Sequence, residues 1–85
     1  MTSVEAFKEK LNQEHKWPDI YLFKFVVPIG KAQDFKSTFP EFSFQEKKSN
    51  AGNYISFSLR KEMKSSDEVI NIYIKARTVD GVIAL

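Results

Sequence analysis

Apolar and polar positions alternate most clearly from Ile20 to Val27. In an extended chain Tyr21, Phe23, Phe25 and Val27 point one way, and Leu22, Lys24 and Val26 the other. The stretch is β-branched and aromatic, as strands are. Its one charge, Lys24, falls on the second side, so the first is predicted to be buried and the second half-exposed or covered by a partner. Upstream the period changes. Val4, Phe7 and Leu11 recur at helical spacing within Thr2 to Glu14, and Thr2-x-x-Glu5 forms a capping box. Lys8, Glu9, Asn12 and Gln13 then face water. The segment His15 to Asp19 ends this helix, because a residue before proline, here Trp17 before Pro18, is driven out of the helical region.

Downstream, Pro28-Ile29-Gly30 breaks the strand, and Gly30 is expected to serve a turn with positive φ or tight packing. Ala32, Phe35 and Phe39 predict a short helix over Lys31 to Phe39, stopped by Pro40. Phe42 and Phe44 alternate with Ser43 and Gln45 and predict a second strand, and Lys47 to Gly52 is a polar connection. A third strand runs from Asn53 to Arg60, with Ile55, Phe57 and Leu59 inward and Tyr54, Ser56 and Ser58 outward, so the two form a hairpin. In its loop Gly52 supplies a left-handed conformation, Asn53 caps the turn, and Tyr54 packs with its hydroxyl wet. Asp67 to Arg77 fits two periods. Val69, Ile72, Tyr73 and Ala76 suit a helix; Ile70, Ile72, Ile74 and Ala76 suit a strand. The box Ser65-x-x-Glu68, with Asp67 adding first-turn negative charge, favours the helix. Asp80-Gly81 then turns the chain into a terminal strand, Val82 to Leu85.

The order is helix, then strand-helix-strand-strand-helix-strand. It predicts an α+β fold: a ferredoxin-like βαββαβ sandwich, with a four-stranded antiparallel sheet, two helices on one face, and an N-terminal helix added. Residues 1–16 are helix and lead-in, and residues 17–85 the single domain. Right-handed crossovers place both helices on the face of Tyr21, Phe23, Phe25, Ile55, Phe57 and Leu59. The reverse face, with Leu22, Lys24, Val26, Ser43, Gln45, Tyr54, Ser56 and Ser58, has no cover unless the N-terminal helix or another molecule supplies one.

Three short motifs, in this order and spacing, add a resemblance. They are Trp17-Pro18-x-x-Tyr21-x-Phe23-Lys24, the loop Ser49-Asn50-Ala51-Gly52-Asn53-Tyr54, and the ending Val79-Asp80-Gly81-Val82-Ile83-Ala84-Leu85. Over roughly Leu11 to Leu85 the chain resembles the YbeD-like family, a bacterial domain-of-unknown-function family. The resemblance implies a ferredoxin-like fold similar to ACT regulatory domains, with no established activity. The chain departs from the family in its first crossover helix, Lys31 to Phe39, which is shorter than usual. ACT-like domains commonly pair, and hold small ligands near the loop after the first strand. By that analogy Ile29, Gly30 and Lys31 are the first ligand positions to expect.

Composition narrows the chemistry. The chain has 85 residues, one domain at most, and 14% of them are aromatic, eight Phe among them. A domain this small buries only about 60% of its unfolded surface, so large rings are expected as core filling. Thirteen cations against eleven anions leave +2, too balanced to mark a nucleic-acid or anionic-membrane binder. Only Arg60 and Arg77 are arginines, the residue best suited to bidentate phosphate contacts. Without cysteine there is no disulfide or thiolate site. His15, the only histidine, cannot build a multi-histidine metal site and is expected as a solvated surface residue. The adjacent acids Asp67-Glu68 serve the helix N-terminus. No metal, cofactor or catalytic residue is therefore expected. The opening Met-Thr-Ser-Val-Glu lacks a basic leader region, and the longest apolar runs are too short to span a membrane, so the expected location is the cytoplasm.

Two relatives of the fold offer alternatives. Acylphosphatases need an arginine in a glycine-bearing loop after the first strand and an asparagine on the hairpin; Pro28-Ile29-Gly30-Lys31 has a single Gly and a Lys. RNA-recognition domains stack bases on aromatic rings of the open face, where this chain offers only Tyr54, with Lys24, Lys47, Lys48 and Arg60 as a mildly basic rim. The expectation is a non-catalytic regulatory or interaction module. It binds a protein partner, itself as a homodimer, or a small effector through the open face or a sheet edge. Ile29, Gly30, Lys31, Lys24 and Tyr54 are the binding candidates. A small hydrolase using Lys31 as anion contact and a weak RNA-binding domain are the alternatives.

Overall fold

Ser3 opens the first helix: its Oγ accepts a hydrogen bond from the Ala6 amide at 3.0 Å, satisfying one of the free donors of the first turn. The structure is a computed structural model that describes residues 3–85, so the cap expected at Thr2 lies outside the described residues. Helix α1 covers Val4–Glu14 and strand β1 Asp19–Pro28. One 3₁₀ turn, Ile29–Lys31, leads into α2, Ala32–Thr38. Then come β2, Gln45–Lys48; β3, Tyr54–Met63; α3, Ser66–Ala76; and β4, Ile83–Ala84. The strands form one sheet in the order β2-β3-β1-β4, every neighbouring pair antiparallel. This is an α+β fold with a four-stranded open sheet and three helices, compatible with the ferredoxin-like expectation.

Register sorts the side chains. Phe25 stands opposite Phe57, Phe23 opposite Leu59 and Val27 opposite Ile55, so these rungs share one face. Helices cover that face. The Phe35 ring of α2 lies 4.8 Å from Phe57 and 5.4 Å from Phe25, centroid to centroid. Tyr73 of α3 lies 5.5 Å from Phe23 and 5.7 Å from Phe25. Phe23, Phe25, Phe35 and Phe57 are fully buried, and each such side chain contributes roughly 1.5–3 kcal/mol of transfer free energy. Helix α1 joins from outside: Phe7 meets Tyr73 edge-on at 5.6 Å and Leu11 is buried. It packs on α3 and leaves the reverse of the sheet uncovered.

The doubtful segment is a helix. Val69, Ile70, Ile72 and Ala76 are buried while Ile74 is 53% exposed, a division that follows the helical period rather than alternation. Ser65 caps it as expected, its Oγ accepting from the Glu68 amide at 3.2 Å; Glu68 Oε1 reaches one residue past the cap and accepts from the Lys64 amide at 3.2 Å instead of closing the box on Ser65.

Three expectations are corrected. The second strand is not Phe42 to Gln45 but Gln45–Lys48, all four residues exposed. It is held by backbone pairing to β3, so no hydrophobic period marks it. Phe42 and Phe44 precede it and plug one end of the core, Phe44 at 5.3 Å from Phe35 and 5.7 Å from Phe57. The third strand runs on past Arg60 to Met63, because β1 begins at Asp19 and offers pairing partners that far. Gly30 needs neither positive φ nor tight packing: it sits in the 3₁₀ turn, and a Cβ added there would meet nothing within 4 Å. Gly52, by contrast, has φ +76°, as the loop chemistry predicts.

Candidate functional site

The uncovered face of the sheet is built from the other rungs. Ile20 stands opposite Glu62, Leu22 opposite Arg60, Lys24 opposite Ser58, Val26 opposite Ser56 and Pro28 opposite Tyr54. On one flank β4 brings Ile83 beside Val26, and the Leu85 amide donates to the Lys24 carbonyl at 2.9 Å. On the other flank Gln45 and Lys47 of β2 pair with Ser58 and Ser56. The result is two stripes. An aliphatic one follows β1 and β4, where Ile20, Leu22, Ile83 and Leu85 are each at least half exposed. A polar, cationic one follows β3 and β2 through Arg60, Ser58, Ser56 and Lys47. Lys24 interrupts the aliphatic stripe on β1, between Leu22 and Val26.

Where the stripes meet, Lys24, Val26, Lys47, Tyr54, Ser56 and Leu85 line an open depression of about 330 Å³, with Lys48, Ser49 and Asn50 at its rim. The loop that carries the rim is fixed by its own hydrogen bonds. The Ser49 amide donates to the Tyr54 carbonyl at 2.8 Å, the Tyr54 amide donates back to Ser49 Oγ at 3.2 Å, and the Gly52 amide donates to the Ser49 carbonyl at 3.0 Å. The Asn53 carbonyl accepts from the Ile29 amide at 2.9 Å, which ties this loop to the turn after β1.

The five candidate binding residues do not converge. Lys24 and Tyr54 share the open-face depression, and Ile29 is exposed beside the loop. Lys31 lines a separate depression of about 360 Å³ with Asp34, Thr78 and Asp80, its Nζ 4.0 Å from Asp34 Oδ2. Sequence reasoning about the open face did not reach Ile20, Ile83 and Leu85. Their signal was present in the apolar ending of the chain, but it names no face until β4 pairs with β1.

His15 is not a solvated surface residue. It is half-buried, stacked on Trp17 at 5.0 Å, with Nδ1 2.8 Å from Asp19 Oδ2. That hydrogen bond, more than any other influence, holds the Asp19 carboxyl below the usual carboxylate range. Trp17 Nε1 donates to Asn12 Oδ1 at 2.8 Å, so the cluster fastens the end of α1 to the start of β1. Between α1 and α3 lies a groove of about 570 Å³ lined by Phe7, Tyr21, Ile70 and Tyr73 among others. The two tyrosine hydroxyls there are 3.0 Å apart. Burial, then the Tyr21 hydrogen bond, pushes the Tyr73 phenol up, so it stays protonated and offers no phenolate nucleophile. Among the described residues no three His, Asp or Glu side chains could hold a metal ion together, and no helix is long and apolar enough to cross a membrane. No family model, curated protein or solved structure matches the chain.

Proposed function

We propose that this chain is a non-catalytic interaction module that binds a protein partner through the open face of its sheet. The frame is a ferredoxin-like βαββαβ domain of the YbeD-like kind, working in the cytoplasm. One observation carries the reading: the aliphatic stripe of Ile20, Leu22, Val26, Ile83 and Leu85 lies uncovered on a face that the three helices leave free. A contiguous exposed apolar surface rimmed by polar groups is a common mark of an interaction site. The face suits this better than the edges do. Edge strand β2 is short, polar and charged, and β4 has two residues, the features that discourage strand addition. A shallow depression of about 330 Å³ on an open sheet also encloses a small effector poorly. The hydrolase alternative loses support at Lys31, which is turned to Asp34.

Amide spectra of the labelled protein, in buffer and in clarified lysate of the source cells, test this. Line broadening should concentrate on β1, β4 and the outward rungs of β3. An unaffected spectrum, or broadening centred on the α1–α3 groove, contradicts the proposal.

A further inference from the structure

The open face carries the molecule's whole net charge. Lys24, Lys47 and Arg60 stand on its outward rungs, against one carboxylate, Glu62. Those three cations and one anion make the face +2; the other ten cations and ten anions of the chain cancel. Among the described residues the ion pairs lie elsewhere: Lys8–Asp67, Lys31–Asp34, Lys36–Glu46 and Lys75–Glu41. None of the three open-face cations enters one. Lys24 falls within the aliphatic stripe and Arg60 and Lys47 run alongside it, so whatever covers the face must present apolar groups and negative charge together.

That requirement separates the occupants. A second copy laid face to face would oppose like charges, which disfavours the pairing. Single-stranded RNA would meet its charge needs, but bases stack on rings over the central strands. There this chain has Leu22, Lys24, Val26, Ser56 and Ser58, with Tyr54 alone at a strand end. A protein segment that is aliphatic on one side and acidic on its flank satisfies both stripes. Layered folds cover a sheet face with a helix. From Ile20 to Val26 the β1 stripe is about 20 Å long at roughly 3.3 Å per residue, a span that a helix of about 13 residues covers.

We infer that the open face receives an acidic amphipathic α-helix of a partner protein, its aliphatic side against Leu22, Val26 and Ile83 and its carboxylates against Lys24, Lys47 and Arg60. This rests on the open-face reading and sharpens it.

The probe is a displayed library of helical peptides, randomised at surface positions and panned against the folded chain. Enriched peptides should carry Leu or Ile along one side and net negative charge beside it. Their affinity should fall about tenfold or more in the double variant Lys24→Glu/Lys47→Glu, fall in Leu22→Ser, and weaken as salt is raised. All three positions are exposed, so both variants should keep the parent unfolding midpoint. Enriched peptides that are basic or neutral, or indifferent to Lys24→Glu/Lys47→Glu, overturn the acidic helix. If such peptides are still lost with Leu22→Ser, the open-face reading survives that failure. No enrichment, or binders indifferent to every one of these substitutions, removes both. Binding of a labelled oligouridylate that Lys24→Glu/Lys47→Glu abolishes, with no acidic peptide enriched, replaces the helix by a nucleic acid.

Discussion

The two faces of the sheet are made by the same strands, yet they differ in almost every physical respect. Phe23 is fully buried; Leu22, its chain neighbour, is 58% exposed. The inner face is a mesh of rings, Phe35 within 5.5 Å of Phe25, Phe39, Phe44 and Phe57. The outer face mixes aliphatic side chains with lysines and serines and, among the described residues, has no helix over it. Folding explains the first: without those rings a chain of 85 residues would have little core. Folding does not explain the second. Isolated exposed aliphatic residues are ordinary, but Ile20, Leu22, Ile83 and Leu85 form a stripe across two strands, the observation on which the proposed docking face rests. The difference shows that apolar character alone does not place a residue in the core; the layer opposite decides.

Substitutions on the two faces should therefore have effects of different size. Phe35→Ala empties the centre of the ring mesh and should cost about 3–5 kcal/mol in urea unfolding. That is a large share of a domain stability of about 5–15 kcal/mol. Gly81→Ala comes next. Its φ is +80° and a Cβ would stand 2.8 Å from Pro28 Cγ, where β1 ends. Gly52→Ala has a similar φ of +76° and an open surrounding, so it should lose only the conformational cost of about 1–2 kcal/mol. A Gly52 variant as damaging as the Gly81 variant would show that the contact with Pro28 is unimportant. Ser65→Ala removes the α3 cap and should cost about 1 kcal/mol, with the helical ring layer loosened and the outer face unchanged.

The smallest expected effect concerns pH. Asp19 titrates below the usual range because His15 hydrogen-bonds it. A carboxyl with a lowered folded pKa adds stability above its unfolded value and loses it as pH falls through the folded one. Stability should therefore decline more steeply below about pH 4 in the parent than in Asp19→Asn. Equal slopes in acid unfolding curves would mean that the pair does not link α1 to β1 in solution.

Much of this was legible in the chain because each strong signal had a local cause. The alternation from Tyr21 to Val27 gave the faces of β1, and Ser65 with Glu68 settled a segment whose apolar residues fit two periods. The failures share a cause as well. Gln45–Lys48 forms an edge strand of exposed residues, set chiefly by pairing with the β3 backbone beside it, which no hydrophobic period announces. Phe42 and Phe44 mimic a strand because two rings two residues apart also suit a loop that dips into the core. His15 and Asp19 are four residues apart outside any helix, and only the bend before β1 brings them together. In the candidate site Lys24 and Tyr54 could be read from alternation. Ile83 and Leu85 could not, because two residues of β4 acquire a face only by pairing with Phe25 and Val26.

Neighbours on β1 give the most direct test of the central claim, that one face holds the fold and the other is left free. Equilibrium urea unfolding of Phe23→Ala and Leu22→Ser, each against the parent, reads both faces at one place in the chain. The account expects a loss of about 3–5 kcal/mol for Phe23→Ala and a change within about 0.5 kcal/mol for Leu22→Ser. A Leu22→Ser loss of about 2 kcal/mol or more, the size of a buried leucine's contribution, would mean that the outer face is already covered and would contradict it.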